Sequence, residues 1–322
     1  MNRHVPTPRK QLRAAVIGAG VFGRHHATKY VSVPGVTLTA IADCDAETRR
    51  LAASQFGLIP AADWRDLLGK VDLVSVCTPA STHAEIVRAF LDAGAHVLVE
   101  KPIATTLDEA EELIRLAAER GLVLTVGHQE RFVFAKSGLL DGGEVPLSVE
   151  SVRAGPWTGR GADVSVVLDL MIHDLDLVHR LLPGAVMDVE ARARLVHGVH
   201  PDEVSAIVTF ENGATAKLVA SRAADSRSRS LRAIYADGTI EIDFLTRKVK
   251  NTTGRRLNPL DLTDPLGESV TAFVKAVEGE RTALVRPEEA RQALRTALMI
   301  EEAALPAIEV FSSSRRDLRA SA

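Results

Sequence analysis

The sequence predicts an α/β half followed by an α+β half, on three observations. Short apolar runs alternate with amphipathic stretches over residues 12–127. A glycine-rich turn joins the first run to the first stretch. After Gly127 the pattern changes to longer runs with period-2 alternation and hairpin turns. Continuous apolar strands between helices indicate a parallel sheet covered on both faces, whereas alternation indicates a mainly antiparallel sheet with one open face.

Each element follows from its own signal. "RAAVIG" is a strand, and "VFGRHHATKYV" is the helix after the glycine turn. "VTLTAIAD", "VDLVSVCTP", "AHVLVE" and "LVLTVG" are the next strands. Between them lie the helical stretches "AETRRLAASQF", "THAEIVRAFLDAG" and "TLDEAEELIRLAAERG". In the second half "VSVVLDLMIHDLDLVHRLL" is a strongly apolar helix. "EVSAIVTFENGATAKLVAS" turns at Asn212-Gly213, and "LRAIYADGTIEIDF" turns at Asp237-Gly238. Helices "GESVTAFVKAVEG" and "PEEARQALRTALMIEEAAL" follow. The expected division is therefore 1–127 and 128–322.

Composition narrows the function classes. The chain has 322 residues, 46% hydrophobic and 25% charged, enough for two domains that each bury a core. A net charge of -3 with dispersed basic residues argues against nucleic acid as the main partner. The short run "SRSRS" (226–230) reads as a solvated strand or loop, although basic residues can also hold a phosphate. Two cysteines, Cys44 and Cys77, and no secretory signal fit a reducing, cytoplasmic setting. The basic N-terminus lacks an apolar core, no apolar run is long enough to span a bilayer, and the tail "SSSRRDLRASA" reads as frayed.

"GAGVFG" places Gly18, Gly20 and Gly23 in G-x-G-x-x-G spacing between strand and helix. Such glycines allow a tight turn, close approach of backbone to a pyrophosphate and close helix–strand packing. The helix N-terminus adds N–H groups and a positive dipole. Asp43, ending the second strand, can accept hydrogen bonds from ribose hydroxyls and would repel a 2′-phosphate. NAD is therefore favoured over NADP, with Arg49 and Arg50 keeping NADP open.

On one helix, Leu168, Ile172, Leu175, Val178 and Leu182 form a core-facing stripe. Asp169, His173, Asp176 and Arg180 form a second stripe. Asp169 and His173 are one turn apart, so a carboxylate can fix an imidazole's tautomer and raise its basicity. The plain alternative is an exposed helix face. A metal reading is poorer, because neither cysteine nor HExxH spacing accompanies the cluster. His25 and His26 are expected to pack in or beside the first helix.

"GAGVFGRHHA", "CTPASTHAEI", "EKPIATT", "GHQERF" and "DLMIHDLD", in that order, make the chain resemble the Gfo/Idh/MocA family of sugar oxidoreductases over nearly its whole length. The resemblance implies an N-terminal Rossmann domain and a C-terminal α+β domain. The second domain's open sheet would carry substrate on one face and often a homodimer or homotetramer interface on the other. "GHQERF" and "VVLDLMIHDLD" look most like the branch oxidising UDP-N-acetylglucosamine, or its uronic acid, at the sugar 3-hydroxyl. Val133 and Phe134 stand where that branch shows Asn-Pro. Such an enzyme would feed an aminotransferase supplying amino sugars for lipid A or a surface glycan. The alternatives are an inositol or free-sugar dehydrogenase and a non-catalytic NAD-binding regulator.

The resemblance implies His173 as general base, Asp169 as its partner and Lys101 as a cation at the end of the fourth strand. Alternatively, Lys101 is a surface lysine paired with Glu100. Pro102 locks the backbone there, and its X-Pro bond admits a cis peptide. Cofactor contacts are expected from Gly18, Gly20, Val21, Phe22, Gly23, Asp43, Thr78, Pro79, His83, Glu100, Lys101 and Gln129. Thr82 is a candidate helix cap, with Glu85 in its first turn. Substrate contacts are expected from Lys101, His128, Glu130, Arg131, Arg153, Arg160, Asp169 and His173. Arg131 fits a carboxylate or diphosphate contact and an inter-domain ion pair equally well.

Overall fold

The computed structural model describes residues 11–139, 143–260 and 264–310. The basic N-terminal stretch, up to residue 10, and the polar tail lie outside the described residues. In chain order, the first elements are β1 (Leu12–Ile17), α1 (Val21–Ser32), β2 (Val36–Ala42), α2 (Ala46–Phe56) and β3 (Pro60–Ala61). Next come β4 (Leu73–Val76), α3 (His83–Asp92), β5 (His96–Val99), α4 (Leu107–Arg120), β6 (Leu124–Val126) and α5 (Glu130–Lys136). Then follow β7 (Ser148–Ala154), α6 (Ile172–Leu181) behind a π-helical turn (Val167–Met171), β8 (Val186–Leu195), β9 (Glu203–Phe210) and β10 (Thr215–Ser221). The remainder is β11 (Ser228–Tyr235), β12 (Gly238–Asp243), β13 (Lys248–Asn251), α7 (Pro265–Val277), α8 (Pro287–Ala304) and β14 (Ile308–Val310).

The chain forms two compact units. The first comprises the described residues within Met1–Glu100, Glu109–Gly127 and Asp264–Pro287. Its six strands are all parallel, in the order β3-β2-β1-β4-β5-β6. This is the Rossmann order, with its switch point between β1 and β4. The strands are apolar on both faces because helices cover both. Ala14, Val16, Tyr30, Ile41, Leu73 and Leu98 share a core with Leu266, Val270, Phe273 and Val274 of α7. The spacing of those α7 residues puts them on one helical stripe. Asp264 caps α7 by accepting from Gly267 N at 3.0 Å and pairs with Lys29 at 2.9 Å.

The second unit comprises the described residues within Lys101–Asp108, His128–Thr263 and Glu288–Ala322. Its eight strands run β13-β12-β11-β7-β10-β9-β8-β14. All pairs are antiparallel except β7 with β10 and β14 with β8. Period-2 alternation sorts the side chains. Val204, Ala206, Val208, Ala216, Leu218, Leu231 and Ala233 face inward and are buried. Ile207 and Val219 face outward, 40% and 42% exposed. Both hairpins form where the turn signals stand, and Gly213 takes a φ of 80° that favours glycine. The core stripe of α6 is buried throughout, from Leu168 to Leu182.

Candidate active site

The glycine turn of the first unit is shaped by what its neighbours leave open. Gly18 has φ 88°, and a Cβ there would stand 2.6 Å from the Cys77 carbonyl oxygen. A Cβ on Gly23 would overlap the Gly18 carbonyl. At Gly20 it would meet nothing within 4 Å, so open space lies before the N-terminus of α1. That helix has no side-chain cap and no acidic residue in its first turn. Its dipole and N–H groups therefore suit a phosphate. Val21 and Phe22 are exposed at the same tip.

Asp43 is pinned to this turn. Its Oδ2 accepts from Ala19 N at 2.7 Å and its Oδ1 from Asp45 N at 2.9 Å. Arg49 donates to the carbonyls of Asp43 (2.6 Å) and Cys44 (3.2 Å). The guanidinium is thus directed at backbone beside a carboxylate, an arrangement that fits a ribose diol better than a 2′-phosphate. Open space at Gly20, the uncapped helix and the pinned carboxylate together fit NAD.

Thr78 and Pro79 follow β4. The Thr82 hydroxyl lies 2.7 Å from Thr78 Oγ1 and 2.8 Å from the Pro79 carbonyl, and it makes no cap bond to α3. Glu85 occupies the first turn of α3 and pairs with Arg65. His83 is 1% exposed and its Nε2–H donates to the Thr78 carbonyl at 3.0 Å. Glu100 follows β5, its carboxylate against Gly127, where a Cβ would stand 2.7 Å from Oε1.

Behind Glu100 lies a buried polar chain. Tyr30 Oη is 2.9 Å from Ser75 Oγ, Ser75 Oγ is 3.0 Å from His26 Nδ1, and His26 Nε2 is 2.9 Å from Glu100 Oε1. One donor direction, from Tyr30 through Ser75 and His26 to the carboxylate, satisfies all four groups. Burial pushes the Tyr30 phenol well above its ordinary value, which keeps it a donor. His26 thus packs inward while His25 is exposed, edge-on to Phe22. Sequence reasoning missed Ser75; the available signal was a lone hydroxyl in an otherwise apolar strand.

In the second unit, Lys101 precedes a cis peptide to Pro102. Its Nζ donates to the Asp169 main-chain carbonyl at 2.5 Å and to Asp169 Oδ1 at 3.1 Å. The Asp169 carboxylate thus turns to Lys101, not to His173. The π-turn at Val167–Met171 accounts for this: its wider ladder departs from the spacing that stacks i and i+4 on a regular helix. Gly161 seats the same carboxylate, since a Cβ there would overlap it. Arg222, 5% exposed, holds that loop through the carbonyls of Gly161 (2.5 Å) and Val164 (3.0 Å) and is itself held by Asp202 at 2.7 Å. Neither Gly161 nor Arg222 was legible as a site residue.

His173 Nδ1 is enclosed without a hydrogen-bond partner, and the ring meets His128 edge-on at 6.1 Å. Burial, then the charges of Lys101, Arg153, His128 and Arg229, hold His173 well below its ordinary pKa. It is therefore a neutral imidazole at neutral pH.

Of the remaining expected contacts, Arg153, Glu130 and Arg131 are engaged in ion pairs. Arg153, 2% exposed, takes Asp174 at 3.0 and 2.8 Å and both oxygens of Glu130. Burial pushes Glu130 upward, but Arg153 outweighs this and holds it below the usual carboxylate range. Arg131 forks onto Asp176 and also bonds Glu289, all within this unit. Gln129 is half-buried before α5, and Arg160 is exposed on the Gly161 loop. Among the described residues, no group of three or more His, Cys, Asp or Glu side chains is placed to hold a metal ion. No helix among them is long and apolar enough to cross a membrane.

A parallel Rossmann sheet with an open phosphate turn, and a second unit bearing a neutral histidine beside a lysine–aspartate pair, define a dinucleotide-dependent oxidoreductase. Residues 12–128 match the Gfo/Idh/MocA oxidoreductase family, NAD-binding Rossmann fold, and residues 145–241 match its C-terminal domain. UDP-N-acetylglucosamine 3-dehydrogenase of Acidithiobacillus ferrooxidans is 34% identical over 307 residues, covering 91% of this chain and 97% of that one. A solved structure of that enzyme superposes with a TM-score of 0.83 at 32% identity, covering 91% and 98% of the two chains. Inositol 2-dehydrogenase of Mycolicibacterium gilvum is 33% identical over 190 residues, covering 56% of this chain and 54% of its own. The chain belongs to the Gfo/Idh/MocA family of oxidoreductases.

Proposed function

We propose that the protein oxidises a sugar hydroxyl to a ketone with NAD, and that its substrate is UDP-N-acetylglucosamine, or the corresponding uronic acid, at the 3-hydroxyl. The observation that carries the substrate is likeness over 97% of the Acidithiobacillus enzyme's length, against 54% of the inositol enzyme's. Bound NAD+ supplies the hydride acceptor. His173, neutral because burial and neighbouring cations disfavour its charge, takes the hydroxyl proton. An ammonium has three N–H donors, and Lys101 directs two at Asp169, leaving one for the reacting oxygen. That bond strengthens as negative charge develops, while Asp169 keeps the ammonium in place. A 3-keto product would then feed an aminotransferase on the way to amino sugars of lipid A or a surface glycan.

The setting we infer is the cytoplasm, with the protein a homodimer or homotetramer. Ile207 and Val219, on the outward face of the eight-stranded sheet, support an interface there.

Incubation with NAD+ and a panel of UDP-sugars, free sugars and inositols, read at the NADH band, tests the substrate. UDP-N-acetylglucosamine or its uronic acid is expected to give the highest kcat/KM. Turnover of inositol with none of any UDP-sugar would overturn the assignment.

A further inference from the structure

The run "SRSRS" takes on a meaning from its register. Leu231, Ala233 and Tyr235 of β11 are buried on the inward, helix-covered face of the eight-stranded sheet. Period 2 places Arg229 on that same face, where the apolar packing ends, and Arg227 immediately precedes the strand. Arg229 lies directly across from Arg153 in the β11–β7 ladder. Like charges directly opposite repel, and here one of the two, Arg153, is buried while Arg229 reaches solvent.

Compensation between the two arginines is unequal. Arg153 has Asp174 and both oxygens of Glu130. Among the described residues Arg229 pairs with an edge of Glu130, at 3.6 Å, and its side chain is 43% exposed. Arg227 packs its Cγ near Gly155, 3.5 Å from where a Cβ would stand, and has no ion pair among the described residues. Two guanidinium groups, Arg153 and Arg229, thus draw on Glu130 and Asp174, and Arg227 adds a third positive charge beside Arg229. Asp174, which anchors Arg153, is the residue after His173 on α6. The charges of Arg153 and Arg229 both reach the His173 ring.

We propose that Arg229, with Arg227 beside it, forms an anion subsite that holds phosphate oxygens of the substrate and distinguishes a sugar phosphate or nucleotide sugar from an uncharged polyol. A phosphoryl group there would supply the counter-charge that Glu130 cannot give to both arginines, and guanidinium forks suit its oxygens. Burial and the neighbouring Arg153 already lower the Arg229 pKa, the direction expected of an under-compensated cation. The inference rests on the nucleotide-sugar reading and sharpens it by assigning the diphosphate's partners.

Steady-state kinetics of Arg229→Gln and Arg227→Gln, beside Arg232→Gln as control, test it. Arg232 lies on the outward face near Glu150. With UDP-N-acetylglucosamine, Arg229→Gln is expected to raise KM about 10- to 100-fold with kcat changed far less, the loss of one or two charge-assisted bonds. Arg229→Lys recovers part of the affinity, Arg232→Gln behaves as wild type, and the loss on free N-acetylglucosamine is much smaller than the loss on the UDP-sugar. Circular dichroism and NAD titration matching wild type identify variants that have folded. An unchanged KM in folded Arg229→Gln, or equal losses for charged and uncharged sugars, overturns the subsite. UDP binding by calorimetry separates this from failure of the substrate reading. If wild type oxidises only uncharged sugars, the nucleotide-sugar assignment falls. The subsite still stands if wild type binds UDP and Arg229→Gln does not, and it falls if both bind UDP alike or neither does.

Discussion

At the scale of single residues, Asp169 is held from two sides. Lys101 takes its carbonyl and one carboxylate oxygen, and the bare Cα of Gly161 leaves room for the rest of the carboxylate. Gly161 also has φ 66°, where a side chain is strained. Gly161→Ala should therefore displace the carboxylate and, with it, the lysine. The expected result is a kcat reduced about 100-fold, the scale of an ångström-level misplacement, with NAD affinity intact. A kcat within twofold of wild type would show that Asp169 need not occupy this position. Asp169 and His173 were both legible in the sequence because they share a helix and a motif. Their turning apart was not, since a π-turn depends on tertiary contacts that helix periodicity does not encode.

At the scale of elements, α6 is bound to its neighbours by buried polar pairs as well as by its apolar stripe. His179 Nε2 lies 2.8 Å from Thr296 Oγ1 of α8, while Nδ1 is enclosed without a partner. Burial lowers His179 to about 4. The unfolded chain, with a histidine pKa near 6.5, therefore binds a proton that the folded chain refuses. Stability is complete above about pH 6.5 and falls as pH drops toward about 4. By pH 5 this group alone costs about 2 kcal/mol. His179→Gln keeps an amide near Thr296 but removes the titration. Urea unfolding at pH 7 and pH 5 should show its acid loss smaller than wild type's by about that amount. Equal losses in the two proteins would place the acid sensitivity elsewhere. The same strand-level logic bears on Arg229: the inward set Leu231, Ala233 and Tyr235 was visible as alternation. The partner strand β7 was not among the expected strands, so the Arg153–Arg229 opposition could not be seen.

At the scale of the whole molecule, the chain crosses from the first unit to the second between Glu100 and Lys101, inside the "EKP" motif. The Rossmann half was legible because apolar strands, caps and the glycine turn all agree; α2, for instance, spans the expected 46–56. Helix α7 was legible as a helix but not as part of the first unit's core. An apolar stripe requires burial without naming the surface that supplies it. In the proposed reaction the role of His173 is to accept the proton of an NAD-dependent oxidation. It is tested most directly by His173→Ala, with NAD binding followed by fluorescence titration and turnover by NADH absorbance on UDP-N-acetylglucosamine. NAD affinity is expected within about twofold of wild type and turnover reduced about 100- to 10,000-fold, the range for loss of a general base. Near-wild-type turnover in the folded, NAD-binding variant would contradict it.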